Sequence, residues 1–417
     1  MSRLLPGRLL WGCTILFYMY QYLLRAQPAA MHHSWVEEFH INATEFASVG
    51  VLYLYAYAAL QIPIGWLLDR AGIKRILLVS ILVCLSGAMM LAFAKVFWMI
   101  QLSRIFMGIG SATPFICSMK IVQDNFSAQR QPFFCGATLT IGIVGAMCAG
   151  LPLLLMVEKW GWKIAAQVLA MIGIAIFAAI ALVIRKSLSP LNIPLEKESG
   201  NSSWRRCFQA PVLRYAFITI GLYAPLAILV DMWGIPFLSL KYGILREQAA
   251  SITMLGYFGL AVGSTIIPIM VRSQKSLHRM ILGSLIGVCL CIGTIIIAFL
   301  PLTMLAIVFL LLGFLCGSLM LCYPAIGLYT TPKNSGFIFG FANGFLMLGE
   351  GALNFGVGAL LDLQAGGILS ADGTPIYTAL QYQSVLTWIF VPLLTLCIGL
   401  TAISMRSLRK EGLKISQ

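Results

Sequence analysis

Long apolar runs recur along the chain, separated by short polar breaks. Twelve are read: residues 10–31, 46–68, 76–94, 97–119, 133–157, 164–184, 212–236, 248–271, 280–300, 302–329, 337–361 and 380–404. Each is long enough for the about 20 residues that a membrane helix needs. The first follows Arg3 and Arg8 as a secretion signal would, but it is too long and holds Gln21 and Arg25, so it reads as a retained helix. The longest polar break, from residue 185 to 211, carries Pro190, Pro194 and several charges. The pattern predicts an all-α integral membrane protein. Twelve transmembrane helices form two pseudo-symmetric six-helix bundles, residues 1–184 and 212–417, joined by a cytoplasmic linker at 185–211. Glycine spacing supports the duplication. Gly136 and Gly145 in the fifth helix match Gly340 and Gly349 in the eleventh, and Gly108 matches Gly313.

Composition strengthens this reading. Of 417 residues, 60% are hydrophobic and only 10% charged, with a mean hydropathy of +0.92. Soluble domains run near 45–50% and 25%, so a soluble enzyme and a disordered chain are both excluded. The net charge of +14 would point to nucleic acid on a soluble protein. Here 21 of the 28 Lys and Arg fall on one set of alternate connections and five on the other. That asymmetry places both termini and the linker in the cytoplasm and excludes a nucleic-acid patch. Ten of the eleven cysteines lie in apolar runs and read as packing residues. His32, His33 and His40 crowd the first outer loop without an acid placed to complete a metal site. No phosphate loop or nucleophile elbow is present. The chain is therefore expected to need no cofactor and no metal, and not to be an enzyme.

The connection between the second and third helices reads Gly65-Trp66-Leu67-Leu68-Asp69-Arg70-Ala71-Gly72-Ile73-Lys74-Arg75. This resembles the loop signature of the major facilitator superfamily. Arg104-Ile105-Phe106-Met107-Gly108-Ile109-Gly110 resembles the family's fourth-helix pattern, and Gly161-Trp162-Lys163 its entry to helix six. The resemblance implies that Gly65, Asp69, Arg70, Gly72, Lys74 and Arg75 form a conformational gate, and that helices one, four, seven and ten line a central cavity. Two departures stand out: the second-half copy is reduced to Arg272-Ser273-Gln274-Lys275, and Gly150-Leu151-Pro152 replaces the Gly-Pro pair of many antiporters. Residues 25–30 and 42–46 are also similar to segments of lysosomal dipeptide transporters, organic-anion symporters and nutrient transporters of intracellular bacteria. For the Asn42-Ala43-Thr44 sequon a helix-capping role is expected.

Four charges fall inside the predicted helices: Arg25, Arg104, Asp231 and Glu350. Each costs about 2.5–3.5 kcal/mol on insertion scales and so marks a functional site or a buried ion pair. Arg25 and Arg104 lie at similar depth in their helices, and a guanidinium grips a carboxylate with paired bonds. Tyr18, Gln21, Tyr22, Tyr57, Gln61, Tyr223, Asp231, Tyr257 and Tyr323 complete the expected substrate site. Glu350, near the middle of helix eleven, and Asp231 are the candidate proton-coupling groups, since desolvation favours a neutral carboxyl.

These residues predict a secondary active transporter of the cell (inner) membrane, working as a monomer in the lipid bilayer by alternating access. Its partners are a small-molecule substrate and protons. The expected activity is proton-coupled uptake of an organic anion, amino acid or short peptide. An exporter of a siderophore or drug is the alternative, and a non-transporting sensor or scaffold is the alternative from another class.

Overall fold

The computed structural model describes residues 4–71, 73–125, 131–186, 207–271, 273–327, 329, 335–365 and 376–415. Among the described residues the chain is helical and holds no strand. It divides into two compact units, whose described residues lie within 1–197 for the first and within 198–369 and 375–417 for the second. Most of the linker predicted at 185–211 lies outside the described residues.

The first unit holds α1 (Leu4–Ala26), α2 (Pro28–Phe39), α3 (Ala43–Ala71), α4 (Ile73–Ala92), α5 (Phe97–Ser111), α6 (Pro114–Asn125), α7 (Gln131–Cys148), α8 (Leu151–Trp160) and α9 (Trp162–Lys186). Here α5 packs on α3 and α4, and α1 on α6, α7 and α9. The second unit holds α10 (Ala210–Leu229), α11 (Gly234–Tyr242), α12 (Arg246–Ile269), α13 (Gln274–Ile297), α14 (Leu302–Cys316), a 3₁₀ turn (Gly317–Leu321), α15 (Cys322–Gly327), α16 (Ser335–Ala365) and α17 (Ala379–Ile415). In this unit α12 packs on α14, α13 on α17, and α10 on α16 and α17.

Ten of the described helical segments are long and apolar enough to cross a membrane. Among the described residues the first and fourth apolar runs do not reach that measure: α1 is 23 residues long but carries Arg8, Gln21 and Arg25, and the fourth run is divided into α5 and α6, of 15 and 12 residues. A proline lacks the N–H that bonds four residues back, and its ring crowds that turn. Pro28 separates α1 from α2, Pro114 separates α5 from α6, and Pro152 stands at the start of α8. The first helical run extends to Phe39, well beyond residue 31, so His32 and His33 sit on α2 rather than in an outer loop. Asn42 and Glu45 then form a reciprocal cap for α3. Asn42 Oδ1 accepts from the Glu45 N–H at 2.8 Å, and Glu45 Oε2 accepts from the Asn42 N–H at 2.9 Å.

Close helix contacts depend on absent side chains. A Cβ on Gly108 in α5 would lie 2.3 Å from the Tyr53 carbonyl oxygen of α3, and one on Gly313 in α14 would lie 1.8 Å from the Gly256 carbonyl oxygen of α12. These helices meet backbone to backbone, the favoured contact where lipid removes a hydrophobic drive to associate. Apolar side chains face outward instead: Met171, Leu182, Ile269, Leu290 and Ile307 are exposed.

Candidate functional site

In the first unit the site grows from the break between α1 and α2. Pro28 offers no N–H to the Leu24 carbonyl four residues back. Arg104 supplies the missing donor. Its Nη1 bonds the Leu24 oxygen at 2.5 Å, Nη2 the Arg25 oxygen at 3.2 Å, and Nε the Val49 oxygen of α3 at 3.1 Å. The guanidinium carbon lies 4.6 Å from the Tyr53 ring centre, and the residue is 1% exposed. The Gln27 amide and Arg104 Nη1 both approach the Met107 sulfur, at 3.8 and 3.7 Å. The same device recurs at Pro114, where Thr113 Oγ1 donates to the Gly110 carbonyl at 3.4 Å.

Arg25 stands on the last turn of α1, buried, with its guanidinium 5.8 Å from the Tyr22 ring centre. Tyr18 and Tyr22 pack edge to face with ring centres 5.1 Å apart, and their hydroxyls are 3.5 Å apart. Gly142 of α7 leaves them room, since a Cβ there would lie 2.6 Å from the Tyr18 ring. Gln21 donates to the Tyr53 hydroxyl at 3.3 Å. Tyr57 stacks beside Tyr53 at 6.4 Å. Gln61 is buried and donates to the Ala112 carbonyl at 3.3 Å, at the break between α5 and α6. The structure thus brings Tyr18, Gln21, Tyr22 and Arg25 together on α1, while the head of Arg104 points into main-chain carbonyls.

In the second unit the predicted helix over 212–236 is broken at Val230–Trp233. The Asp231 N–H reaches the Leu226 carbonyl at 3.0 Å and the Trp233 N–H reaches Ile228 at 2.8 Å, both five residues back. This wide turn is a form often found at functional sites. Gly234 permits it, because a Cβ there would lie 1.7 Å from the Leu229 carbonyl oxygen. Asp231 is 4% exposed and its Oδ1 accepts a hydrogen bond from the Tyr257 hydroxyl of α12. Tyr223, on the same helical run, is also buried. Glu350 is 2% exposed in α16, and its carbonyl accepts from the Asn354 side chain at 3.2 Å. Tyr323 donates to Asn343 of α16 at 3.4 Å.

The loop signature spans the end of α3 and the start of α4. The side chains of Gly65, Asp69, Arg70 and Gly72 lie outside the described residues; Lys74 is partly buried and Arg75 exposed.

Two polar clusters escaped the sequence reading. Lys241 of α11 donates to the carbonyls of Ile295, Ile296 and Ala298 at 2.7, 2.9 and 2.7 Å, closing the end of α13. Burial lowers its pKa below the ordinary 10.5. His278 places Nδ1 2.8 Å from the Gln274 carbonyl and Nε2 against the Tyr215 hydroxyl. The histidine itself was visible in the sequence; its partner, 63 residues away, was not.

Two units, helical among the described residues and holding ten segments long and apolar enough to cross a membrane, define a multi-pass membrane protein. The model of the Major Facilitator Superfamily matches residues 10–353, and the chain belongs to that family. Its members are multi-pass membrane transporters rather than enzymes. Among curated relatives, the uncharacterized transporter YybO of Bacillus subtilis is 28% identical over 171 residues, 38% of each chain. The probable sulfoacetate transporter SauU of Cupriavidus necator is 24% identical over 42% of this chain and 40% of its own. A probable L-galactonate transporter of Escherichia coli is 31% identical over 29% of this chain and 28% of its own. The matches thus span about two fifths or less of these relatives. Among solved structures, a bacterial homolog of the human lysosomal transporter Spinster, in an inward-facing and unoccupied conformation, is similar with a TM-score of 0.74. It is 16% identical, with 97% of this chain and 98% of that chain covered.

Proposed function

We propose that the protein is a secondary active transporter that takes up a small carboxylate-bearing solute, driven by protons, through alternating access. The observation that carries this reading is the buried Arg25, set on one turn of α1 with Gln21, Tyr18 and Tyr22. A cation inside a membrane helix marks a functional site, and a carboxylate fits the fork of a guanidinium. The names of two relatives point the same way, since sulfoacetate and L-galactonate are both carboxylates. Arg104 contributes by holding the α1 break that places Arg25. Asp231 and Glu350 are carboxyls almost closed to solvent, and they are the proton-coupling groups in this reading. The full proposal has twelve spans in two related halves, both termini in the cytoplasm and a monomer in the inner membrane. The loop from Gly65 to Arg75 acts as the conformational gate.

The test is uptake by reconstituted proteoliposomes of labelled organic acids, with and without an inward proton gradient. Gradient-dependent accumulation of a carboxylate, abolished in Arg25→Lys, supports the proposal. Wild-type accumulation by Arg25→Lys would sink the carboxylate assignment.

A further inference from the structure

We infer that the site reads a hydroxyl beside the carboxylate, so that its ligand class is a hydroxy acid rather than a plain carboxylate or an amino acid. This rests on the carboxylate reading above and deepens it. The observation is Gln21, which stands one turn before Arg25 on α1. Residues four apart on a helix are neighbours, with Cβ atoms about 5–6 Å apart. Gln21 is 2% exposed. Its amide nitrogen donates to the Tyr53 hydroxyl at 3.3 Å, and Tyr53 directs its own proton toward the Gln21 main-chain carbonyl at 3.5 Å. The Tyr53 hydroxyl oxygen therefore meets the amide as an acceptor, which orients the NH₂ toward Tyr53 and the carbonyl end away from it.

That carbonyl oxygen, Gln21 Oε1, is buried and meets no hydrogen-bond donor among the described residues. A buried acceptor left unmet is costly, and a ligand that brings a donor relieves it. A ligand whose carboxylate lies against Arg25 therefore has an acceptor waiting about one helical turn along. Either a hydroxyl or an ammonium would satisfy it. The surroundings favour the neutral group. Arg25 is one turn away, and Arg104 lies over the Tyr53 ring that Gln21 bonds. An added ammonium would stand near two guanidinium charges in a site poor in water. A site built to bond a hydroxyl also rejects the analogue lacking it, because the polar group is then left unmet.

The experiment measures binding to the purified full-length protein, by titration calorimetry, of matched acids: lactate and glycerate against propionate and alanine, and gluconate against hexanoate. Hydroxy acids are expected to bind about tenfold more tightly than their deoxy partners. Gln21→Met should reduce that preference to within about twofold, while Arg25→Lys weakens both members of each pair alike. The wild-type series decides the matter even if Gln21→Met fails to fold. Carboxylate binding that depends on Arg25 but ignores the hydroxyl overturns this inference and leaves the carboxylate reading standing, as does a hydroxyl preference that survives in Gln21→Met. Tighter binding of alanine than of lactate overturns it in favour of an ammonium. If no acid binds, both readings fall together.

Discussion

The Arg104 guanidinium bonds the Leu24 carbonyl at 2.5 Å, at the position from which Pro28 withholds the helical N–H. A charged side chain 80 residues away in sequence takes the place of one main-chain bond. This relation makes a double-mutant prediction. Arg104→Met should destabilise the protein by about 2 kcal/mol, the range for hydrogen bonds from a charged group. In a Pro28→Ala background residue 28 regains its N–H, and the same change should cost about 1 kcal/mol less. Thermal unfolding of the four proteins in one detergent measures the coupling. Strictly additive losses would show that Arg104 does not compensate for the proline.

Glycine substitutions should separate by position. Gly313→Ala would place a Cβ 1.8 Å from the Gly256 carbonyl oxygen, and overpacking of that kind costs about 3 kcal/mol. Gly283→Ala and Gly293→Ala meet nothing within 4 Å, and at helical positions they should be neutral or slightly stabilising. Melting temperatures of the three variants check this; equal effects would refute the backbone-contact account.

For coupling, Glu350→Gln mimics a permanently protonated carboxyl. It should abolish accumulation driven by a proton gradient and keep exchange of labelled for unlabelled substrate. Proteoliposome assays of both activities distinguish the steps. Normal gradient-driven accumulation would move the role to Asp231.

Lys241→Met removes an ammonium that serves three carbonyls at the end of α13. A loss of about 1–2 kcal/mol is expected. Lys241→Arg should recover part of it, since the charge at the helix C-terminus remains. A Met variant as stable as wild type would mean that solvent serves those carbonyls equally well.

Membrane orientation has its own test. Gly200→Cys, placed in the linker, should react with an impermeant thiol reagent only after the cytoplasmic face is opened. Labelling of intact cells at that position would reverse the proposed topology.

Helix positions were largely legible in the sequence, because apolar length alone marks a membrane span. The Asn42–Glu45 cap was legible too, since its partners are three residues apart. The breaks were within reach but were read through: Pro28, Pro114 and Pro152 all stand inside stretches long enough to be read as single apolar spans. Hydropathy is blind to a missing N–H. The pairing of Arg104 with Leu24 was not legible, nor was that of Lys241 with α13, because such partners are set by packing between distant helices. For the same reason Arg25 and Arg104 looked alike on depth and type, whereas in the fold Arg104 is engaged by carbonyls and Arg25 stands by the tyrosines.

The choice of arginine as the strut at Pro28 has a consequence for the proton-driven transport proposed above. A guanidinium keeps its charge at every pH that a cell meets. A lysine or histidine in the same carbonyl nest would be free to lose its proton when desolvated, and the first helix would then change shape with the gradient. Under that proposal Arg104 insulates the scaffold from the driving force and leaves sensitivity to protons to Asp231 and Glu350.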